Sequence, residues 1–333
     1  MSERVLSVRG LRTTFSTDAG VLPAVDGVDL ELHAGETLCV VGESGCGKSV
    51  TALSILRLLP EPPASIEAGE VIFEGRDLLE LPNGELRKIR GSRIAMVFQE
   101  PMTSLNPVFS VGNQIEEALK IHTDLTRRGR RERVVELLDM VGIPAPSERV
   151  RDYPHQLSGG MRQRVMIAMA LSCEPSVLIA DEPTTALDVT IQAQILELLG
   201  ALQDRFRMAV LLITHDLGVV AETAHRVAVL YAGRVVETGS VDEIFGGPRH
   251  PYTRGLMKAM PGRSVGHREP LHVIPGAVPD LRDRPRGCSF RERCPRADAR
   301  CEETDPLLEP QGPQRAVACH HPYVEEPRAG ENA

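Results

Sequence analysis

Two rhythms of hydrophobic and polar positions run through the first 247 residues. Val28, Leu30 and Leu32 recur at every second position, which predicts a half-buried strand. Thr37–Val41, Ile94–Phe98, Val177–Ala180 and Ala209–Ile213 are short, mostly apolar runs, the pattern of strands covered on both faces. Between them the spacing turns helical. Lys48 to Leu59 predicts a helix stopped by Pro60, and Ile191 to Phe206 predicts another, with Ile191, Ile195, Leu198, Leu202 and Phe206 on one face. From about Ser110 to Leu171 the periodicity is helical only, with Ile115, Leu119, Val134, Leu137, Leu138 and Met140 in register, which predicts an inserted block of helices. Strands alternating with helices predict an α/β core around a mostly parallel sheet.

This pattern fades near residue 247. Thirteen of the 25 prolines lie from Pro248 onward, and four of the seven cysteines, Cys288, Cys294, Cys301 and Cys319, fall in the last 46 residues. A length of 333 residues suits about two domains. A composition of 42% hydrophobic and 25% charged residues excludes disorder for the bulk of the chain. No apolar run approaches the roughly 20 residues needed to span a bilayer. The first residues lack a basic and then apolar secretion signal, so a cytoplasmic location is expected. A net charge of −8 argues against a general nucleic-acid binder. In a reducing compartment, clustered cysteines point to a metal or cluster site before disulfides.

The chemistry concentrates in two places before the boundary. Gly42-Glu43-Ser44-Gly45-Cys46-Gly47-Lys48-Ser49 fits the phosphate-loop pattern, directly after a predicted strand and before a predicted helix. Its glycines let backbone amides wrap an anion, Lys48 reaches the β and γ phosphates, and the Ser49 hydroxyl suits Mg²⁺. Asp181 and Glu182 follow the strand at Val177, at the end where ligands bind in open α/β sheets. Asp181 suits Mg²⁺ or its water, and Glu182 suits orientation or deprotonation of an attacking water. Read alone, that pair is as well explained by a solvated turn.

Leu157-Ser158-Gly159-Gly160-Met161-Arg162-Gln163-Arg164, taken with the phosphate loop, resembles the signature of ATP-binding cassette (ABC) ATPases, with Met161 in place of the usual glutamine. The resemblance implies a phosphate-loop NTPase core with an antiparallel β subdomain and an inserted helical subdomain at about 100–172. It also implies that Ser158, Gly159 and Gly160 grip the ATP held by a partner cassette. Gln99 resembles the Q-loop glutamine that touches Mg²⁺, Thr185-Ala186-Leu187-Asp188 the D-loop, and His215 the switch histidine at the γ-phosphate. Phe15 resembles the aromatic that stacks on adenine, and Val50 joins the ATP-binding residues beside Ser49.

More narrowly, Phe98–Pro107 and Asp181–Thr190 resemble the oligopeptide/dipeptide permease ATPases, from about Val5 to Pro327. This implies an importer subunit at the cytoplasmic face of the membrane. Its partners would be two integral permease subunits, a second homologous ATPase and an extracytoplasmic substrate-binding protein, with no nucleic acid. Relatives that import nickel keep a small-solute importer open. A DNA-repair ATPase would carry long coiled coils between loop and signature, and a translation-factor type would carry two cassettes. The chain then divides into an ATPase domain, 1–247, and a Cys-rich extension, 248–333. The extension resembles the tail of the first ATPase subunit in these permeases, which implies a [4Fe-4S] cluster on Cys288, Cys294, Cys301 and Cys319. Their wide spacing, without C-x-x-C, also favours a cube over zinc, which remains the lesser alternative with free thiols. Separation along the chain leads us to expect that nucleotide binding is independent of the cysteines.

Overall fold

The computed structural model describes residues 3–99, 104–185, 187–260 and 273–324. Glu100–Thr103 of the Q-loop run, Ala186 of the D-loop and the segment beyond Val324 lie outside the described residues.

Four strands, β1 (Arg4–Thr17), β2 (Gly20–His33), β4 (Ala64–Phe73) and β5 (Arg76–Asp77), form an antiparallel sheet in the order β2-β1-β4-β5. The larger sheet has eight strands. Its parallel centre is β9 (Arg226–Tyr231), β3 (Thr37–Val41), β8 (Ala209–Ile213), β7 (Val177–Asp181) and β6 (Ile94–Val97). Antiparallel β10 (Arg234–Ser240), β12 (Ala316–Val317) and β11 (Glu309–Pro310) extend it beyond β9.

The central strands explain their own sequences. Along β3, Cys39 and Val41 enter one core while Leu38 and Val40 enter the other; along β7, Leu178 and Ala180 part in the same way from Val177 and Ile179. Each strand is covered on both faces, which is why its polar positions are lost. One face packs on α1 (Lys48–Ile55), α2 (Asn83–Ile89) and the antiparallel sheet. The other packs on helices from the β6–β7 connection: α3 (Val111–His122), α4 (Arg127–Met140) and α6 (Gly159–Ala170), with the short α5 (Pro146–Arg149) between the last two. It also receives α7 (Val189–Phe206), α8 (Leu217–Thr223) and α9 (Val241–Gly246).

Three expectations are corrected. Helix α1 ends at Ile55 rather than Leu59, because Arg90 donates Nε to the Leu56 carbonyl (2.7 Å) and Nη2 to the Arg57 carbonyl (2.6 Å), and Arg57 turns left-handed at φ +50°. Those bonds satisfy carbonyls that another helical turn would have used. In α7 the buried stripe is Ile195, Leu196, Leu199 and Leu202, so Ile191, Leu198 and Phe206 form its edge. The region after residue 247 is not without periodic structure. It contains α10 (Pro251–Lys258) and α11 (Ala299–Glu303), and its strand β12 pairs with β10.

That strand is held by a buried ion pair. Glu237 on β10, fully buried, accepts from Arg315 Nη2 at 2.7 Å and from the backbone N–H groups of Arg249 and His250, each at 2.9 Å. Arg315→Met leaves Glu237 buried without its counter-charge, at an expected cost of about 3–5 kcal/mol in the docking of this segment. Limited proteolysis between residues 273 and 324, followed against denaturant, checks this. Cleavage at the wild-type rate would remove the assignment.

Candidate functional site at the carboxyl ends of the parallel strands

Parallel strands in register end together. Val40 pairs with Ile213, Asp181 with Ile213, and Val97 with Ala180, so the loops after β3, β8, β7 and β6 meet at one edge of the sheet. Those loops carry the phosphate loop, His215, Asp181–Glu182 and Gln99.

The loop after β3 is tightly confined. A side chain on Gly42 would meet the Leu230 carbonyl at 2.2 Å, and one on Gly47, at φ +103°, would meet the Ala24 carbonyl at 2.4 Å. Glycine is the residue that fits both constraints. Lys48 is buried and donates Nζ to the carbonyls of Gly42 (2.8 Å) and Glu43 (3.1 Å). Ser44 and Gly45 are exposed, Cys46 is fully buried, and Val50 lies half-buried in the first turn of α1. Burial pushes the Cys46 thiol up, which removes it as a reactive thiol. Phe15 is half-buried near the end of β1, the strand that Thr13 ties to α1 through a 2.8 Å contact with Ser54.

The acidic pair divides as its spacing predicts. Asp181 ends β7, buried, and accepts from Ser49 Oγ at 3.0 Å. Burial and the neighbouring Glu182 hold its carboxyl above the ordinary range, against the opposing Ser49 hydrogen bond and Lys48 charge. Glu182 turns the other way at φ +45°, a conformation that non-glycine residues adopt at a cost of order 1–3 kcal/mol. Its Oε2 accepts from Gln99 Nε2 and Thr185 Oγ1, both at 2.9 Å, and its Oε1 lies 3.1 Å from His215 Nδ1. Burial alone would raise this carboxyl, but the bonds from His215 and Thr185 and the His215 and Lys48 charges bring it below its ordinary value. Gln99, Glu182 and His215, 116 residues apart in sequence from first to last, therefore form one cluster.

Ser158 caps α6, its Oγ accepting from the Met161 N–H at 3.3 Å. Ser158 and Gly159 are exposed, and a side chain on Gly160 would meet Ile191 at 2.8 Å. Substitution at Gly160 would therefore push α6 off α7. Among the described residues, no hydrogen bond joins Ser158 to the Lys48 loop.

Distance along the chain did not keep the tail away from this site. Arg293, with 4% of its side chain exposed, grips the phosphate-loop residue Glu43 with two hydrogen bonds, Nη1 to Oε2 at 2.6 Å and Nη2 to Oε1 at 2.9 Å. Tyr252 Oη accepts from the Glu43 N–H at 2.9 Å. The expectation of independence between tail and nucleotide loop is thus corrected by direct contact. Sequence reasoning missed Arg293 and Tyr252, which no motif or periodicity marks.

The four tail cysteines are all free and line one cavity of about 10 Å³ together with His250, His320 and His321. The Cys294 and Cys319 sulfurs each accept a backbone N–H at 3.4 Å, from Arg296 and His321. Burial, with repulsion from the other three cysteines, pushes the Cys319 thiol up to about 12. Asp298, Cys301 and His321 place ligand atoms within 4.8 Å of one another.

Comparison with known proteins matches this geometry. Residues 25–185 match the ABC transporter family, and residues 236–301 match the oligopeptide/dipeptide transporter C-terminal region. A probable peptide ABC transporter ATP-binding protein, y4tR, of Sinorhizobium fredii is 56% identical, covering 96% of this chain and 95% of that protein. The dipeptide transport ATP-binding protein DppD of Bacillus subtilis is 50% identical, covering 98% and 96%. Among solved structures, the dimeric post-hydrolysis state of the ATP-binding cassette MJ0796 bound to ADP and Pi is 29% identical, with a TM-score of 0.63 over 71% of this chain and 98% of that one. With both family regions present and half or more of its residues shared with such relatives over nearly their whole length, this chain belongs to the ATP-binding proteins of the ABC transporter family.

Proposed function

We propose that this chain is the ATP-hydrolysing subunit of an importer of di- or oligopeptides, working at the cytoplasmic face of the membrane. Its partners are two integral permease subunits, a second homologous ATPase and an extracytoplasmic substrate-binding protein. The observation that carries the reading is the cluster around Glu182. The peptide substrate is supported by the tail match and by the relatives' names.

In this reading Phe15 stacks on adenine, and Gly42–Ser49 with Val50 cradle the phosphates. Ser49, Asp181 and Gln99 are the groups that would hold Mg²⁺, which neutralises phosphate charge when bound. Lys48, Ser49, Gln99 and His215 each contact another group of the chain at this edge. ATP takes Lys48 from the carbonyls of Gly42 and Glu43, draws Gln99 toward the metal side and His215 toward the γ-phosphate. Glu182 then keeps Thr185 and loses the His215 bond, the largest of the contacts that depress its basicity, so the carboxylate becomes a better proton acceptor. Ser158, Gly159 and Gly160, remote from their own chain's phosphate loop, grip the ATP of the partner cassette.

Residues 104–172, carrying α3 to α6, act as the helical subdomain that meets the permease. Phe98, Val108 and Phe109, 40%, 71% and 52% exposed, offer apolar surface beside Gln99 for that contact. Among the described residues no helix is long and apolar enough to cross a membrane. We assign residues 1–247 as the ATPase domain and 248–333 as the extension. Cys288, Cys294, Cys301 and Cys319 would hold a [4Fe-4S] cluster, whose chemistry here is that of a structural staple. The donor set fits. The four free thiols line one cavity, and a cube gives each thiolate its own iron.

Glu182→Gln should retain ATP binding and lower hydrolysis by about 10²–10⁴-fold in the assembled transporter, whereas Lys48→Ala should weaken binding itself. Unchanged turnover in the glutamine variant would remove Glu182 from the role of base. Ser158→Arg should leave ATP binding to the isolated subunit intact and abolish ATP-dependent crosslinking between this signature and the partner's phosphate loop. A wild-type complex that forms no such crosslink would overturn the shared-site arrangement. Anaerobically purified protein should be brown, with about four irons and four acid-labile sulfides per chain. Stoichiometric zinc without sulfide would overturn the cluster and leave the transporter reading standing.

A further inference from the structure

The phosphate loop carries its own negative charge, and the structure supplies a cation for it from 250 residues away. Glu43 is the second residue of the Gly42–Ser49 loop and lies beside the anion that this loop receives. A carboxylate there opposes a polyphosphate. Both of its oxygens are taken by Arg293, through the bidentate geometry that makes guanidinium–carboxylate pairs strong and directional. Arg293 is itself fixed. Its Nε donates to the Pro275 carbonyl at 2.9 Å, and its guanidinium lies 5.8 Å from the ring centroids of both Tyr231 and Phe290. Phe290, 2% exposed, packs on Tyr231 and Tyr252 with centroids 5.2 and 5.5 Å away. The next residue in the chain is Cys294.

We propose that Arg293 is a positioning residue of the nucleotide site: it neutralises Glu43 and fixes the phosphate loop, so that docking of the cysteine-bearing segment and ATP affinity are coupled. The coupling is reciprocal, because a tail that favours ATP must be favoured by ATP. The inference rests on Gly42–Ser49 being the ATP site. The tail is then more than a staple, since whatever orders residues 288–294 sets the charge that the incoming phosphates meet.

The test measures nucleotide affinity of the full chain for ATP, ADP and AMP by calorimetry. Arg293→Met should weaken ATP by about 5- to 30-fold, ADP less and AMP least, since the loss is repulsion from one uncompensated carboxylate. Adding Glu43→Gln in that background should restore most of the loss, and Arg293→Lys, which keeps the charge without the fork, should fall between. Glu43→Gln alone should speed alkylation of Cys294, a readout that stands even where Arg293→Met fails to fold. ATP should slow that alkylation in the wild type. Unchanged ATP affinity in Arg293→Met, or a double variant as weak as Arg293→Met, would overturn the proposal while Lys48→Ala still weakens binding. If Lys48→Ala binds ATP like wild type, the site reading itself fails and takes the proposal with it.

Discussion

A parallel sheet covered on both faces leaves its chain only one place to be polar, the ends of the strands. In this protein the strands from β9 to β6 bury alternate residues in two separate cores, and charge is confined to their ends, Arg226 at the start of β9 and Asp181 at the end of β7. Register then brings the four following loops to one edge. The site exists because the interior refuses the groups that compose it. The close approach of Gly42 to Leu230, and of Gly47 to Ala24, belongs to the same constraint, since the loop is compressed between β9 and β2.

At this edge the chain's polar groups satisfy one another. Lys48 binds carbonyls of its own loop, Ser49 binds Asp181, and Glu182 takes Gln99, Thr185 and His215 together. In the proposed reading, binding ATP is an exchange of partners, and each exchange contributes far less than its gross strength. The left-handed backbone at Glu182 is held against its conformational preference by these contacts. An arrangement so balanced is suited to a cycle that must both bind and release.

What was legible in the sequence was what local spacing records. The phosphate loop, the acidic pair after β7, the cap of α6 at Ser158 and the strand at Ala209 all follow from neighbours within a few residues. The helix positions in the β6–β7 connection were equally readable. The buried stripe of α7 was not, because Ile191, Ile195, Leu196, Leu198, Leu199 and Leu202 offer two overlapping apolar faces, and only the partner surface chooses between them. The end of α1 depended on Arg90, and the fixing of β12 on Glu237 and Arg315. Contacts between side chains tens to hundreds of residues apart leave no period in the sequence. The same holds for Arg293 and Glu43.

The tail illustrates how a segment poor in apolar residues is nevertheless ordered. Its hydrophobic contribution centres on Phe290 against Tyr231 and Tyr252, its backbone joins the sheet for two residues at β12, and its remaining anchors are charged: Arg284 to Asp26, Arg315 to Glu237 and Arg293 to Glu43. Such anchors are directional but give little net stability once desolvation is counted. A small core of this kind is weakly anchored, and the four free thiols line one cavity beside it, where the proposed cluster would act. The phosphate loop, by contrast, is confined between β9 and β2, where Gly42 and Gly47 leave no room for a side chain. One buried guanidinium, Arg293, joins the two through Glu43, which is why the coupling proposed above runs through a single residue.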